Sequence, residues 1–494
     1  MQKKFLTNLG LLLFLNLLVK PFWVLGIDRS VQNAVGAEDF GFYFSILNFT
    51  FLFYILLDLG ITNFNNRNIA QHSQLLNKHF SSILVLKILL VFLFVIVTFI
   101  VGFIIGYDSR QFKMLSWITL NQILLSFILY LRSNISGLLL FRTDSFLSVL
   151  DRLLMIIFCS ILLWGNVTST PFEIEWFVYA QTAAYGLTAI TAFIIVIIKA
   201  SFKKLSWNRA FLIMILKKSF PFALLALLMA QYNRIDTVFL ERLLPENTGY
   251  EQAGIYAQAF RLMDAANMIA FLTAALLLPI FSRMIKLNQS IEKIAKLSFS
   301  LLFTISTIVA IGSYNYSTDF MTWLYPQHDY ETVFDYTLRM GQSAAAFSLL
   351  MFGFIAISTS YVFGTLLTAN GSLKIMNLIA GCGVLISIGL NVALVPRLMA
   401  IGSAYASLSA QFATVVAQVI AAQYIFKFKV NTRLLLSLVI FVAGVVLIVY
   451  LGKLLPYDWK MNILISVAVA FILAIALRLI HLREFIRIIR EEKA

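Results

Sequence analysis

Nine charged side chains lie inside long apolar segments of this 494-residue chain. On insertion scales, a charge at the centre of a membrane helix costs about 2.5–3.5 kcal/mol, so it should face water or a partner of opposite charge. Cations in such places could bind a phosphate or pyrophosphate, and carboxylates could bind a coupling ion. The candidate cations are Lys20, Arg132, Arg234 and Arg261, and the candidate carboxylates are Asp58, Asp236 and Asp264.

Two of the cations occupy matching places in the sequence. Lys20 precedes Gly41 by 21 residues, and Arg234 precedes Gly254 by 20. If the two glycines mark equivalent helices of an internal repeat, both cations lie on the first helix of their half and line one central cavity. Pro21 removes a backbone donor and is expected to kink the first helix beside Lys20. An excess of cations in the cavity would suit an anionic substrate.

Simpler structural roles compete with these assignments. Arg261 and Asp264 are three residues apart and therefore share a helix face, where they form either a structural pair or part of a site. Arg132 either lines the cavity or pairs with Asp151. Asp58 either takes part in ion coupling or hydrogen-bonds the nearby backbone.

The two remaining intramembrane cations are expected near the membrane surfaces. Lys87 is predicted close to the cytoplasmic end of its helix, where a lysine side chain can extend to the headgroup region. Arg339 is predicted at the outer interface. Neither is therefore a candidate for the cavity.

The composition predicts that these charges belong to a bundle of membrane helices. The chain is 61% hydrophobic and 12% charged, whereas soluble domains average about a quarter charged residues. Apolar segments long enough to span a bilayer alternate with short polar loops. We predict fourteen membrane helices, near residues 5–27, 41–63, 80–106, 113–141, 147–165, 174–198, 211–240, 254–281, 294–314, 337–367, 373–395, 400–426, 433–452 and 461–480.

The positions of the basic residues predict the orientation of this bundle. Lys and Arg concentrate in the cytoplasmic loops of membrane proteins. With the N-terminus inside, 25 basic residues fall in inside segments and 7 in outside segments. The net charge of +15 therefore reflects loop positions, and we expect no nucleic-acid partner. Both termini are expected in the cytoplasm, and the first apolar segment is expected to be a membrane helix and not a cleaved signal.

An internal repeat is visible in short matching motifs. Gly41 to Tyr43 opens the second predicted helix, and Gly254 to Tyr256 opens the eighth. Gly137 to Leu140, near the end of the fourth helix, matches Gly364 to Leu367 near the end of the tenth. Because six helices separate the copies, both have the same orientation in the membrane. Such parallel repeats predict a substrate site between the two halves.

Several chemistries have no motif in this sequence. There is no phosphate-binding loop for nucleotide hydrolysis, no His/Cys/carboxylate group with metal-ligand spacing and no Gly-x-Ser-x-Gly nucleophile motif. We therefore predict that the protein is not an enzyme and has no catalytic residue, metal or cofactor. The longest outside loop, residues 317–336, leaves little room for an active site.

The short motifs also occur in a familiar order. Gly41 to Tyr43 is followed by Leu57 to Ile61, with its Asp-x-Gly, and by Asn66 to Ala70, with its arginine and alanine. The second half adds Gly254 to Ala257, and Ala400 to Ala404 marks the start of the twelfth helix. The two remaining matching residues are Pro279 and Arg283. With these residues, distributed over nearly the whole chain, the sequence resembles the Wzx-type polysaccharide-unit flippases of the multidrug/oligosaccharidyl-lipid/polysaccharide (MOP) exporter superfamily.

The resemblance implies an all-α polytopic fold that works by alternating access. Two six-helix lobes, residues 1–204 and 205–430, would be related by a parallel pseudo-twofold repeat. Residues 431–494 would form two additional helices and a basic cytoplasmic tail. A cationic cavity would lie between the lobes.

The resemblance also implies the substrate and the setting. The expected substrate is an undecaprenyl-pyrophosphate-linked oligosaccharide, carried across a bacterial cytoplasmic membrane for O-antigen or lipopolysaccharide biosynthesis. Its pyrophosphate would meet the cavity cations, and its lipid tail would stay among the membrane lipids. Such a flippase is expected to work beside a polysaccharide polymerase and glycosyltransferases.

Other functions fit parts of the same pattern. A lipid II flippase and a cation-coupled drug exporter share the fold, although an exporter of organic cations should place acids where Lys20 and Arg234 stand. A membrane polysaccharide polymerase or ligase would need a larger outer loop. In a purely structural membrane protein, mutation of the cavity cations would leave function unchanged.

Overall fold

The protein folds into long α-helices joined by short turns. The computed structural model describes residues 15–480, apart from residues 17, 20, 63–64, 67–68, 70–74, 139, 166, 168–170, 200–208, 330 and 430. The helices are α1 (Arg29–Phe53), α2 (Leu75–Ile104), α3 (Ser109–Gly137), α4 (Phe141–Trp164), α5 (Ile174–Lys199), α6 (Arg209–Arg234), α7 (Asp236–Leu243), α8 (Glu246–Lys286), α9 (Glu292–Asn315), α10 (Ser317–Leu324), α11 (Val333–Ala369), α12 (Leu373–Phe426), α13 (Thr432–Lys453) and α14 (Trp459–Ala476).

Many of these helices are suited to a membrane by length and by the residues on their surfaces. Within the described residues, ten helical segments are long and apolar enough to span a bilayer. Large apolar side chains remain exposed along them, as at Phe92, Ile96 and Phe103 on α2. In water such a surface would be unfavourable, whereas lipid tails solvate it. The predicted all-α polytopic membrane fold is confirmed.

The contacts between helices divide the chain into two compact units, Met1–Gly254 and Ile255–Ala494. In the first unit α5 packs against α3 and α4, and α1 packs against α3, α6 and α7. In the second unit α11 packs against α9 and α12, and the pair α13 and α14 packs on α9. The lobe boundaries at residues 204 and 430 stay a prediction.

The predicted loop between the first two helices is wrong, because residues 28–40 are helical. A π-helical segment, Trp23–Asp28, follows Pro21 directly and leads into α1. The chain then turns at Gly36, whose φ of 81° is readily adopted only by glycine. The connection between the first and second predicted helices is therefore a single-residue kink.

A second kink separates the eleventh and twelfth predicted helices within α12. Met399 has φ 52° and ψ −131°, three residues after Pro396, which cannot donate a backbone hydrogen bond. Across this turn Ser403 donates a hydrogen bond of 2.8 Å to the side-chain oxygen of Asn391. The predicted start of the twelfth helix at Ala400 is confirmed.

Candidate functional site

Asp58 lies where α1 ends in a distorted turn. Residues Tyr54–Leu57 form a 3-10 turn, and Leu59 and Gly60 follow with φ values of 44° and 80°. The carboxylate of Asp58 accepts hydrogen bonds from the backbone N–H of Thr62, at 3.2 Å, and from the Thr62 hydroxyl. The predicted bond to the nearby backbone is therefore present, and it caps the helical turn that resumes after Gly60.

Lys87 of α2 holds this turn, and the prediction that it extends to the headgroup region is wrong. Its side chain is 1% exposed. The ammonium group donates to Leu57 O at 2.9 Å, to Asp58 Oδ1 at 2.8 Å and to Ser126 Oγ at 2.9 Å. Because a distorted turn leaves carbonyl groups without helical partners, a buried amine can satisfy them.

Arg132 of α3 pairs with Asp144 at the start of α4. The guanidinium Nε donates to Asp144 Oδ1 at 2.8 Å, so the predicted pairing with Asp151 is wrong. The helix α4 begins at Phe141, several residues earlier than predicted, which brings Asp144 within reach. The pairing compensates the charge of Arg132, and its proposed role in substrate binding stays a prediction.

The start of α4 at Phe141 places Arg152 well inside a membrane helix. The predicted helix 147–165 also includes Arg152, although the count of basic residues placed it among the 25 of the inside segments. It lies eleven residues after Phe141, or roughly 16 Å along the helix. Its guanidinium lies 5.5 Å from the ring centre of Trp23 and donates at 3.3 Å to the hydroxyl of Tyr185. The carboxylate of Asp151 is 3.9 Å away, and the Arg152 side chain is 26% exposed.

The helical segments around Arg152 are held together by contacts between aromatic rings and by one hydrogen bond. Trp23 stacks on Phe177 with ring centres 5.9 Å apart, and Tyr43 contacts the same ring edge-on. Gln181 donates to the Tyr43 hydroxyl at 2.8 Å. These residues come from the π-helical segment, α1 and α5. Sequence analysis missed Arg152 because it counted this arginine among the cytoplasmic basic residues; the signal was its place inside the predicted helix 147–165.

The matched pair of predicted cations can be placed only in part. Lys20 lies outside the described residues. Arg234, the last residue of α6, is partly buried with its guanidinium 5.3 Å from the ring centre of Phe51. Asp236 follows in the first turn of α7 and is 1% exposed. The roles of Arg234 and Asp236 in substrate binding and ion coupling stay predictions.

In the second unit, Arg261 and Asp264 are both partly buried on α8. Arg339 is buried, with 4% of its side chain exposed, and its place at the outer interface stays a prediction. It donates two hydrogen bonds to Glu331, of 2.6 and 2.8 Å. Burial raises the pKa of Glu331, but the hydrogen bonds from Arg339 and from the His328 N–H outweigh that effect and leave the pKa below its usual value.

The repeat glycines, Gly41 and Gly254, lie inside α1 and α8 and not at their starts as predicted. The two helices are in close contact at these glycines. A Cβ atom on Gly41 of α1 would overlap the carbonyl oxygen of Tyr250, and one on Gly254 of α8 would overlap the carbonyl oxygen of Ala37. In both cases the blocked carbonyl lies four residues before the other glycine. The contact is therefore reciprocal. We call this contact, within the first unit, the glycine crossing.

Polar contacts continue from the glycine crossing along α1. Ser45 donates to the backbone carbonyl of Thr237 at 3.3 Å, and the Asn48 amide donates to the Thr237 hydroxyl at 2.9 Å. Further on, Gln231 of α6 donates to Leu52 O at 3.1 Å. Hydrogen bonds between side chains and small-residue contacts are the usual means by which membrane helices associate.

The chain was compared with known protein families and solved structures. A family model described as "Polysaccharide biosynthesis protein" matches residues 10–285, more than half of the chain. The chain belongs to this family. No curated protein matches the sequence.

Solved transporters share its fold. The lipid II flippase MurJ, in an inward closed conformation, aligns with a TM-score of 0.71 at 15% identity, covering 93% of this chain and 98% of MurJ. An inward-facing multidrug resistance MATE family transporter of the MOP superfamily has a TM-score of 0.62 at 12% identity, with coverage of 82% and 96%. The Vibrio cholerae MATE transporter VcmN in its bent form has a TM-score of 0.57 at 13% identity, with coverage of 86% and 98%.

These likenesses show the fold. The chain is a multi-pass membrane protein that shares its fold with these transporters.

Proposed function

We propose that this protein is a flippase that moves undecaprenyl-pyrophosphate-linked oligosaccharides across the bacterial cytoplasmic membrane by alternating access, for the biosynthesis of surface polysaccharide. The observation that carries this proposal is Arg152. Its guanidinium lies well inside a membrane helix, is 26% exposed, and has its nearest carboxylate beyond hydrogen-bond distance at 3.9 Å. A planar guanidinium can donate two parallel hydrogen bonds to a phosphate, so Arg152 is suited to the pyrophosphate.

Arg234 is the second cation in the proposed path. It lies at the end of α6, partly buried against the ring of Phe51. A cation over an aromatic ring keeps its charge. We propose that Arg234, and Lys20 by its matching place in the repeat, receive the same anionic group as Arg152.

In the proposed mechanism, the glycine crossing is the contact that separates when the protein changes conformation. The distribution of basic residues predicts that Gly41 and Gly254 lie near the outer ends of their helices. A tight crossing there would close the outer side, and its separation would open it. Rigid-body rocking about such a contact is the usual form of alternating access between parallel repeats.

The test is complementation of a strain that lacks its own flippase, in the organism from which the gene comes. We expect the wild-type protein to clear undecaprenyl-pyrophosphate-linked sugar from the cytoplasmic face. Arg152→Ala should retain less than about a tenth of the flipping rate, which corresponds to at least 1.4 kcal/mol. Arg152→Lys should retain part of it, because it keeps the charge but loses the paired donors.

The matched control is Arg110→Ala, which removes an exposed arginine of α3 that pairs with Asp39 at 2.8 Å. This variant should flip at the wild-type rate, because an exposed ion pair contributes little. If wild type leaves the lipid-linked sugar on the cytoplasmic face, the proposed substrate is wrong. If the same strain then clears lipid II from the cytoplasmic face, the protein is a lipid II flippase, as is MurJ, whose fold it shares.

A further inference from the structure

A buried carboxylate lies beside the glycine crossing and has no role in the function proposed above. Glu241, on α7, is 6% exposed. Its Oε1 accepts hydrogen bonds from Gln111 at 2.6 Å and from Arg242 at 3.1 Å. Its Oε2 is buried and accepts no hydrogen bond from any residue that the structure describes. A buried carboxylate oxygen without a donor penalises the ionised form.

The hydrogen bonds around Gln111 fix the direction of its amide. Asp108 and Gln111 form a capping box at the start of α3, in which the Gln111 oxygen accepts from Asp108 N at 2.8 Å. The Gln111 amide nitrogen must therefore point the other way, where it donates to Glu241 and, at 2.8 Å, to the Tyr250 hydroxyl. Tyr250 is the residue whose carbonyl meets Gly41 in the glycine crossing.

We propose that Glu241 is a proton-binding site that links pH to the opening of the glycine crossing. The proposal rests on the alternating-access function above, in which this crossing separates. With the crossing closed, Glu241 is enclosed by α3, α7 and the start of α8. When the crossing opens, the carboxylate gains water, which stabilises its ionised form. Closing should therefore take up a proton, and opening should release one.

The charges around Glu241 agree with this direction. Burial raises the pKa of Glu241 to about 7, which Arg242 and the Gln111 hydrogen bond oppose and Asp108 reinforces. The other titratable groups that face it are the hydroxyls of Tyr107 and Tyr250, and burial raises the pKa of Tyr107 well above its ordinary value. Tyr107 therefore stays neutral near pH 7, and Glu241 is the group that changes charge in this range.

The direction of the pH effect follows from the linkage between proton binding by Glu241 and closing of the glycine crossing. The closed form has the raised pKa, so its extra stability is present at low pH and is lost as pH rises through about 7. An exposed glutamate has a pKa of about 4.3. Between pH 8 and pH 6, the ratio of closed to open crossing should therefore rise about tenfold.

The test measures access to a buried thiol in the purified full-length protein in detergent, without substrate. Ser45→Cys, which lies one turn beyond Gly41 and is fully buried, is introduced with Cys159→Ala and Cys382→Ala. A polar thiol reagent can reach this cysteine only when the crossing opens. A protein carrying Cys159→Ala alone, with the exposed Cys382, corrects for the pH dependence of the thiol reaction itself.

We expect corrected labelling to be about tenfold slower at pH 6 than at pH 8, and to become independent of pH in Glu241→Gln, which mimics the protonated form. Arg242→Gln, which removes a charge that lowers the pKa of Glu241, should move the midpoint to higher pH. Asp39→Asn is the matched control, because Asp39 is an exposed carboxylate paired with Arg110. This control should keep the wild-type dependence.

Two results would overturn the proposal, and they differ in what else they affect. Labelling that is independent of pH in the wild type, or pH-dependent to the same extent in Glu241→Gln, rejects the proton site and leaves the flippase proposal standing. Absence of labelling at every pH rejects the opening of the glycine crossing, and with it both proposals.

Discussion

The side chain of Lys87 shows what a single buried charge contributes to this protein. Its three hydrogen bonds satisfy the carbonyl of Leu57, the carboxylate of Asp58 and the hydroxyl of Ser126. In Lys87→Met both Leu57 O and Asp58 lose the ammonium donor, although Leu57 O keeps a hydrogen bond from Ser126 and Asp58 keeps those from Thr62. Because Asp58 is 21% exposed and can recover some water, we expect a loss of about 2–3 kcal/mol in stability.

The measurement for Lys87→Met is the thermal unfolding midpoint of the purified protein in detergent. Lys113→Met serves as a control, since Lys113 is exposed on α3 and its loss should leave the midpoint unchanged. Adding Asp58→Asn to Lys87→Met should recover part of the stability, because the two residues interact directly. A Lys87→Met midpoint equal to that of wild type would show that the pair does not hold the turn.

At the residue scale, the sequence was a better guide to which charges are buried than to the residues with which they pair. Arg132 was correctly recognised as an intramembrane charge, yet its partner is Asp144. Arg152 was counted with the cytoplasmic residues because it lies near the start of the predicted helix 147–165, whereas α4 begins at Phe141. Helix ends depend on contacts with neighbouring helices as much as on local hydropathy, so a charge near an end is easily misplaced.

At the scale of helices, the glycine crossing makes a sharp steric prediction. Gly41→Ala and Gly254→Ala each place a methyl group on a carbonyl oxygen of the other helix, so α1 and α8 must move apart. We expect each substitution to cost about 1–3 kcal/mol in the closed form. The labelling rate of Ser45→Cys should therefore rise at least fivefold in either variant.

The control for these variants is Gly186→Ala on α5, where an added methyl group meets no atom within 4 Å. In a helix interior this exchange should be neutral or stabilising. If Gly41→Ala and Gly254→Ala label at the rate of Gly186→Ala, the close approach of the two helices does not determine how often the crossing opens.

For the whole molecule, the decisive prediction is that locking the crossing stops transport. Asn48 and Thr237 are in side-chain contact at 2.9 Å. A disulfide between cysteines at these positions requires Cβ atoms about 4 Å apart, so its formation is first checked by titration of free thiols. In a protein carrying Asn48→Cys, Thr237→Cys, Cys159→Ala and Cys382→Ala, oxidation should abolish flipping and reduction should restore it. The measurement is the transfer of lipid-linked oligosaccharide in proteoliposomes.

The single variants Asn48→Cys and Thr237→Cys control for effects of the substitutions and of the oxidant. Each should flip equally well under oxidising and reducing conditions. A cross-linked protein that still flips at the rate of its reduced form would contradict alternating access through this crossing.

The sequence by itself determined the membrane environment and the position of most helices. Hydropathy and motif spacing act along the chain, so they can be read without knowing which helices are neighbours. The kinks were only partly foreseen. The break before Ala400 was marked by Pro396, whereas the turn at Gly36 replaced a predicted loop, because a glycine can reverse the chain without extra residues.

Only the tertiary structure decided how residues distant in sequence meet. The repeat predicted that Gly41 and Gly254 are equivalent, but their reciprocal contact depends on two helices separated by more than 200 residues. The same holds for Lys87 with Asp58 and for Glu241 with Gln111. Hydrophobicity drives all of these helices into the membrane alike, whereas steric fit and hydrogen bonding between particular helices select the pairs that finally meet.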